Sequence, residues 1–381
     1  MDSKKYNNIK LSLSIGKGIA VFIITLFFVS TGLSAGLQNF LSGYITNSYL
    51  VFVSFALTSG LALGILFFPL SYYSEFYLEH KYNLSNQTLY GWLGEDLKGL
   101  LVSLPVIIPV LLVFFYSLNK FDSLWWLPFA IVLFIISVVL ARIVPVLVLP
   151  LFYKITPLEQ NELKEKIQEH AKDAGIVVEN VYKFNMSKNT KKANAAFTGI
   201  GKSKRILLGD TLIENFTADE IETVVCHELG HYKRKHIIKN IFIGTLFSFL
   251  TLFLIAALYQ YSVSWFGFGS FKEIAAMPLL ALWAMVIRII LTPVSNIISR
   301  KFEFEADEYA VQSTGKKDAF VSTLNKLTDQ NLGDREPHPF VEWFFYSHPS
   351  IKNRVAAINE FYSRVVGSSG SVKREINLEG N

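Results

Sequence analysis

The chain has 381 residues, of which 51% are hydrophobic and 18% charged, where an ordinary globular protein carries about 25% charged residues. So much apolar surface excludes a disordered chain, and a single cysteine, Cys226, excludes an internal disulfide framework. A net charge of +5, with no basic stripe, offers no groove for nucleic acid.

The positions of the charges divide the chain. No Asp, Glu, Lys or Arg occurs from 18 to 74. A bilayer crossing needs about 20 apolar residues, so this stretch predicts two spans joined by a polar turn around Gln38–Asn47. Uncharged blocks follow at 99–119, 123–141 and 240–271, and 274–299 is apolar apart from Arg288. Six membrane helices are predicted, and the fold class is a mainly α, polytopic membrane protein in a lipid bilayer. Lys4, Lys5 and Lys10 favour an inner N-terminus, with the first span retained rather than cleaved as a leader. Six crossings then place the charged stretches 150–236 and 300–381 on one inner, cytoplasmic side.

The resulting organisation is 1–149, spans one to four with an inner loop at 75–98; 150–236, an inner-side soluble part; 237–299, spans five and six; 300–366, an inner-side helical part; and 367–381, a tail expected to lack order. Arg288 is the one charge deep in a span and is expected to face a polar interior or a partner. Asn194–Leu208 alternates and turns at Gly199-Ile-Gly201, which predicts a β-hairpin. Gly201-Lys-Ser203 lacks the first glycine of a phosphate loop, whose place Ala196 holds, so no nucleotide is expected.

The chemistry sits in Thr217-Ala-Asp-Glu-Ile-Glu-Thr-Val-Val-Cys-His-Glu-Leu-Gly-His231. Thr217 and Glu220 have the spacing of a capping box and fix a helix start. On that helix His227 and His231 are four residues apart, hence on one face, where both imidazoles can reach one ion. Glu228 is offset by one step and stands where a carboxylate can take a proton from water. Cys226 points elsewhere on the helix and is expected to serve packing. A zinc site needs a third protein ligand and an open position. Downstream, Glu303, Glu305 and Asp307 are the candidates, one as ligand and another as support for an imidazole N–H; spacing does not choose among them.

These motifs together resemble the type I CAAX prenyl proteases, integral-membrane zinc endopeptidases. The resemblance runs from about Tyr73 to Ala357. It includes Glu79-His-Lys-Tyr-Asn-Leu-Ser-Asn-Gln-Thr88, Pro150-Leu-Phe-Tyr-Lys-Ile-Thr-Pro-Leu158, Asn194-Ala-Ala-Phe-Thr-Gly199, Arg205-Ile-Leu-Leu-Gly-Asp-Thr-Leu212, His227–His236, Ser299–Asp307, Leu327–Leu332 and Ser347-His-Pro349 with Arg354. It implies Glu303 as the third zinc ligand with Asp307 in support, and one Zn2+ per chain. It places Asn194 and Ala195 along the substrate backbone, and His348 and Arg354 at the active site, where they steady substrate or oxyanion. It also implies helices around an internal chamber, seven in the family's eukaryotic members against six here. Those members carry a long insertion before the zinc helix that this chain lacks, and Tyr82-Asn-Leu84 stands in place of the family's Gly-Phe-Asn. A shorter, prokaryotic relative is expected, with a bacterial inner membrane favoured and an endoplasmic-reticulum membrane as the alternative.

The expected function is cleavage of a peptide or protein substrate, in the family a protein prenylated at its C-terminus, with Glu228 as general base beside zinc-activated water. A quality-control metalloprotease that degrades misfolded membrane proteins shares the zinc motif. A transporter or channel with a structural zinc would need a closed four-ligand site. Three convincing ligands leave one position open, and that favours catalysis.

Overall fold

The computed structural model describes residues 2–176, 180–198 and 205–378, with side chains up to 364. Two compact units emerge, one of Asn8–Val148 with Asn240–Leu291, the other of Met1–Asn7, Leu149–Lys239 and Thr292–Asn381.

The first unit is helical. Helices α1 (Asp2–Ser30), α2 (Leu33–Ser42), α3 (Ser48–Ser71), α4 (Leu89–Lys120) and α5 (Trp126–Ile143) lead the chain. The polar turn expected at Gln38–Asn47 is partly helical, since α2 occupies its first half. Asn47 then caps α3 by accepting from the Tyr49 and Leu50 N–H groups. Six helices among the described residues are long and apolar enough to cross a membrane, at Asp2–Ser30, Ser48–Lys81, Leu89–Lys120, Asp122–Phe152, His236–Phe266 and Ile274–Thr314, in agreement with the charge map. Their packed sides are aromatic. Phe52 stacks on Phe115 at 4.8 Å, and Trp125, 1% exposed, meets Phe114 edge-on at 5.3 Å. Their outward sides expose Leu61, Ile65 and Ile289. In water such a surface would drive association; in a bilayer it is solvated. Arg288 lies on an exposed face of the last span.

The second unit begins with a four-stranded sheet of order β1-β2-β4-β3. Strand β1 (Ile155–Pro157) is antiparallel to β2 (Asn180–Phe184), β2 is parallel to β4 (Arg205–Gly209), and β3 (Ala195–Thr198) is antiparallel to β4, with Ala195 opposite Leu208 and Thr198 opposite Arg205. The expected hairpin is therefore formed by β3 and β4; its turn at 199–201 lies outside the described residues. Helix α6 (Glu162–Asp173) and helix α7 (Ala218–Lys233) cover the sheet. Ile167, Leu208, Leu212 and Leu229 are fully buried between these layers.

Helix α8 (His236–Ser262) and the long α9 (Pro278–Thr314) make the last two spans, and α10 (Lys317–Gln330), α11 (Pro339–Phe345) and α12 (Ile351–Leu378) finish the chain. The tail expected without order beyond 367 continues α12 as far as Leu378. Cys226 is fully buried with Ala310, Phe320, Leu324 and Ile358, so its role is packing. Burial pushes its thiol up to about 12 and keeps it neutral.

Candidate metal centre

Helix α7 starts where the sequence requires. Thr217 accepts from the Glu220 N–H, and the Glu220 carboxylate accepts from the Thr217 N–H, which closes the capping box. With the helix phase set, Val225 and Leu229 face the sheet core while His227 and His231 point the other way. Their Nε2 atoms are 3.2 Å apart. Opposite them lies the end of α9. Gly230 is what lets the two helices meet: a Cβ there would sit 3.1 Å from the Ala306 Cα and carbonyl oxygen. The close crossing brings the Glu303 carboxylate to 3.5 Å from His227 Nε2 and 3.4 Å from His231 Nε2.

The structure separates the three acidic candidates. Glu303 alone converges on both imidazoles. Asp307 meets the far nitrogen of His227, with Oδ1 2.9 Å from Nδ1. Glu305 turns to His236, 2.9 Å from its Nε2. Arg354 from α12 grips Asp307 through Nε at 2.8 Å and NH2 at 2.5 Å. Its NH1 also lies 3.9 Å from Glu303 Oε2, so the guanidinium sits between the two carboxylates. His348 is exposed, with Nδ1 3.0 Å from Glu303 Oε2. Glu228 is half-buried on α7 between the two histidines in sequence.

Three features fit a tetrahedral cation. Ligands at zinc distances of about 2.0–2.1 Å stand roughly 3.3 Å from one another, close to the separations of the two Nε2 atoms and the Glu303 carboxylate. Glu303 Oε2 is buried and has no donor in good hydrogen-bonding line, despite the nearness of His348. Finally, burial works against protonation of His227, but the Asp307 and Glu303 carboxylates outweigh it and raise its pKa to about 9. Surroundings that favour a proton so strongly also favour a metal ion. Among the described residues, His227, His231 and Glu303 are the group that could hold a metal.

Asn194 and Ala195 lie at the entrance to β3, the edge strand, with Asn194 exposed. Asn331 brackets the residue before them. Its Oδ1 accepts from the Ala193 N–H at 2.9 Å, and its amide donates to the Ala193 carbonyl at 3.2 Å, as a neighbouring strand would. The ring of Phe197 on β3 packs on Tyr232 of the metal helix at 5.6 Å. His236 is the site residue that sequence spacing did not single out. Five positions after His231 it falls off the ligand face, and only the left-handed Lys235 (φ 59°) turns its ring back.

Two histidines and a glutamate converging beside a further glutamate, in a chain with six apolar helices, define a membrane metallopeptidase. Residues 157–361 match peptidase family M48, and residues 1–154 match the CAAX prenyl protease N-terminal region of five membrane helices, where this chain has four of its six candidate spans. The chain belongs to peptidase family M48 and is a membrane metalloprotease acting on peptide or protein substrates. A Bacillus subtilis (strain 168) protein described as uncharacterized metalloprotease YhfN is 32% identical over 93% of this chain and 84% of its own length. CAAX prenyl protease 1 of Saccharomyces cerevisiae is 32% identical over 76% of this chain and 68% of its own. The crystal structure of S. mikatae Ste24p superposes with a TM-score of 0.84 at 27% identity, over 94% of this chain and 88% of that one.

Proposed function

We propose that the chain is a zinc endopeptidase with its active site on the inner face of a bacterial inner membrane, cleaving near the C-terminus of prenylated CAAX-type proteins. The observation that carries this reading is the convergence of His227 Nε2, His231 Nε2 and the Glu303 carboxylate at 3.2–3.5 Å. These three residues would hold one Zn2+. When bound, the ion supplies Lewis-acid polarisation of a peptide carbonyl and acidifies water.

The chain's own residues supply the rest. Glu228 accepts a proton from the attacking water at its carboxylate and returns it to the departing amine. His348, exposed beside Glu303, is placed to donate to developing negative charge on the carbonyl oxygen. Arg354 holds Asp307, and Asp307 orients His227 through Nδ1. Asn194 and Ala195 open the edge strand β3, whose unpaired side can take an extended peptide by main-chain hydrogen bonds. The kinship with proteins named CAAX prenyl protease 1 supports a lipidated substrate.

The experiment uses purified, detergent-solubilised protein and Glu228→Gln, with metal content measured and a farnesylated CAAX peptide assayed beside its unlipidated twin. One zinc per chain in both proteins, turnover lower by about 10²–10⁴-fold in the variant, and preference for the farnesylated peptide are expected. Undiminished activity of Glu228→Gln would reject the general base. Equal cleavage of both peptides would reject the prenyl requirement.

A further inference from the structure

We infer that His236 and Glu305 act as a pair of positioning residues that hold His231 in the tautomer presenting Nε2 to the metal. The inference rests on the metal-site reading above and extends it to residues outside the ligand set.

His231 Nδ1 lies 3.0 Å from His236 Nδ1, and His236 Nε2 lies 2.9 Å from Glu305 Oε2. A contact between two ring nitrogens is a hydrogen bond only when one of them carries a proton. For His231 to offer its Nε2 lone pair, its proton must sit on Nδ1. His236 must then accept at Nδ1 and carry its own proton on Nε2, where a carboxylate oxygen awaits it. This assignment satisfies both contacts at once, and the opposite one would leave Glu305 facing a bare lone pair.

The surroundings are built to keep it. His236 is 1% exposed and stacks on Phe302 with ring centroids 4.2 Å apart and planes within 10°. Phe302 immediately precedes Glu303, so the clamp on His236 and the third ligand share one turn of α9. Glu305 is anchored in turn by Lys239 at 3.7 Å and Lys301 at 4.0 Å. The left-handed backbone at Lys235 is unfavourable for a residue with a side chain, and it is what aims His236 backwards. The two ligand imidazoles are therefore supported differently. His227 has a carboxylate directly on Nδ1, whereas His231 has a second imidazole interposed before its carboxylate.

The test is the rate at which a chelator strips cobalt from Co(II)-loaded, full-length protein, with the visible absorption bands as a second readout. His236→Phe keeps a ring against Phe302 but removes both nitrogens; His236→Asn restores an acceptor near the Nδ1 position; Glu305→Gln removes the charge at a partly exposed site. Metal release about 10–100-fold faster in His236→Phe, altered visible bands, a smaller acceleration in Glu305→Gln and substantial recovery in His236→Asn are expected. Wild-type release rates in both His236→Phe and Glu305→Gln would overturn the inference, as would His236→Asn releasing metal as fast as His236→Phe. Glu305→Gln carries the test should His236→Phe fail to fold. A wild-type protein that takes up no metal would overturn the metal-site reading, and this inference with it.

Discussion

At the scale of single residues, the site depends on carboxylates that touch no substrate. Asp307 is almost fully buried, and its charge is matched by Arg354 and by the Nδ1 proton of His227. Asp307→Asn keeps the shape, removes the charge, and leaves the guanidinium of Arg354 with only its longer 3.9 Å carboxylate contact, to Glu303. Metal affinity is expected to fall about 10–100-fold, read by competition with a chromophoric chelator. An unchanged affinity would mean that Asp307 serves folding only. The sequence made this residue visible but not its task. Glu303, Glu305 and Asp307 lie within five positions on one helix, and 3.6-residue periodicity gives each a plausible direction. What distinguishes them is the approach of α7, a tertiary fact. The resemblance to the prenyl proteases singles out Glu303 and Asp307; Glu303 lies 3.4–3.5 Å from the two imidazole Nε2 atoms and Asp307 2.9 Å from His227 Nδ1. His236 escaped because its placement depends on one left-handed residue, Lys235, that spacing rules do not foresee.

At the scale of elements, the contact between α7 and α9 is the critical joint. A methyl group at position 230 would press on the Ala306 backbone, so the helices would have to part by a few tenths of an ångström. Gly230→Ala is expected to cost about 1–3 kcal/mol and to weaken metal binding together with thermal stability; a variant with undisturbed metal affinity would show that the crossing has slack. A second joint ties α7 to the turn between α9 and α10. The buried Glu222 carboxylate accepts from Lys316 at 2.7 Å and pairs with His170 at 2.8 Å. Burial raises the Glu222 pKa, but Lys316 and His170 outweigh it and hold it below its ordinary value of 4.5. Such a depressed carboxylate stabilises the fold fully above 4.5, and the contribution is lost as the pH falls through the lowered value. Thermal unfolding followed from neutrality to about pH 3 should show a steeper acid loss for the wild type than for Glu222→Gln. The β3–β4 hairpin was legible from alternation alone, and the capping box from two residues. The parallel pairing of β2 with β4 was not, because a long intervening segment separates the strands and nothing local sets their order.

At the scale of the whole molecule, the missing charges told most of the story. A bilayer excludes unpaired charge, so the uncharged blocks of the sequence and the six long helices coincide. The loop at 75–98 carries an excess of acid, yet Glu79 is matched by Lys10 at 2.8 Å, so the loop and the basic N-terminal segment lie together. An inner-side placement of the metal centre predicts that a reporter active only in the cytoplasm, fused after Asn381, gives full signal, while one inserted near Gly267 gives none; the reverse pattern would invert the topology. His227 and His231 precede α8, and Glu303 follows the membrane part of α9, so the ligands are made on either side of a hairpin of two spans. A nascent chain that has emitted α7 holds two of the three proposed ligands and cannot close the proposed site. Closure waits until both spans have been threaded through the translocon and the chain has returned to the side it left. Closing the proposed site thus depends on both spans being threaded: a copy in which only one of the two crosses would leave Glu303 on the opposite side of the bilayer from His227 and His231.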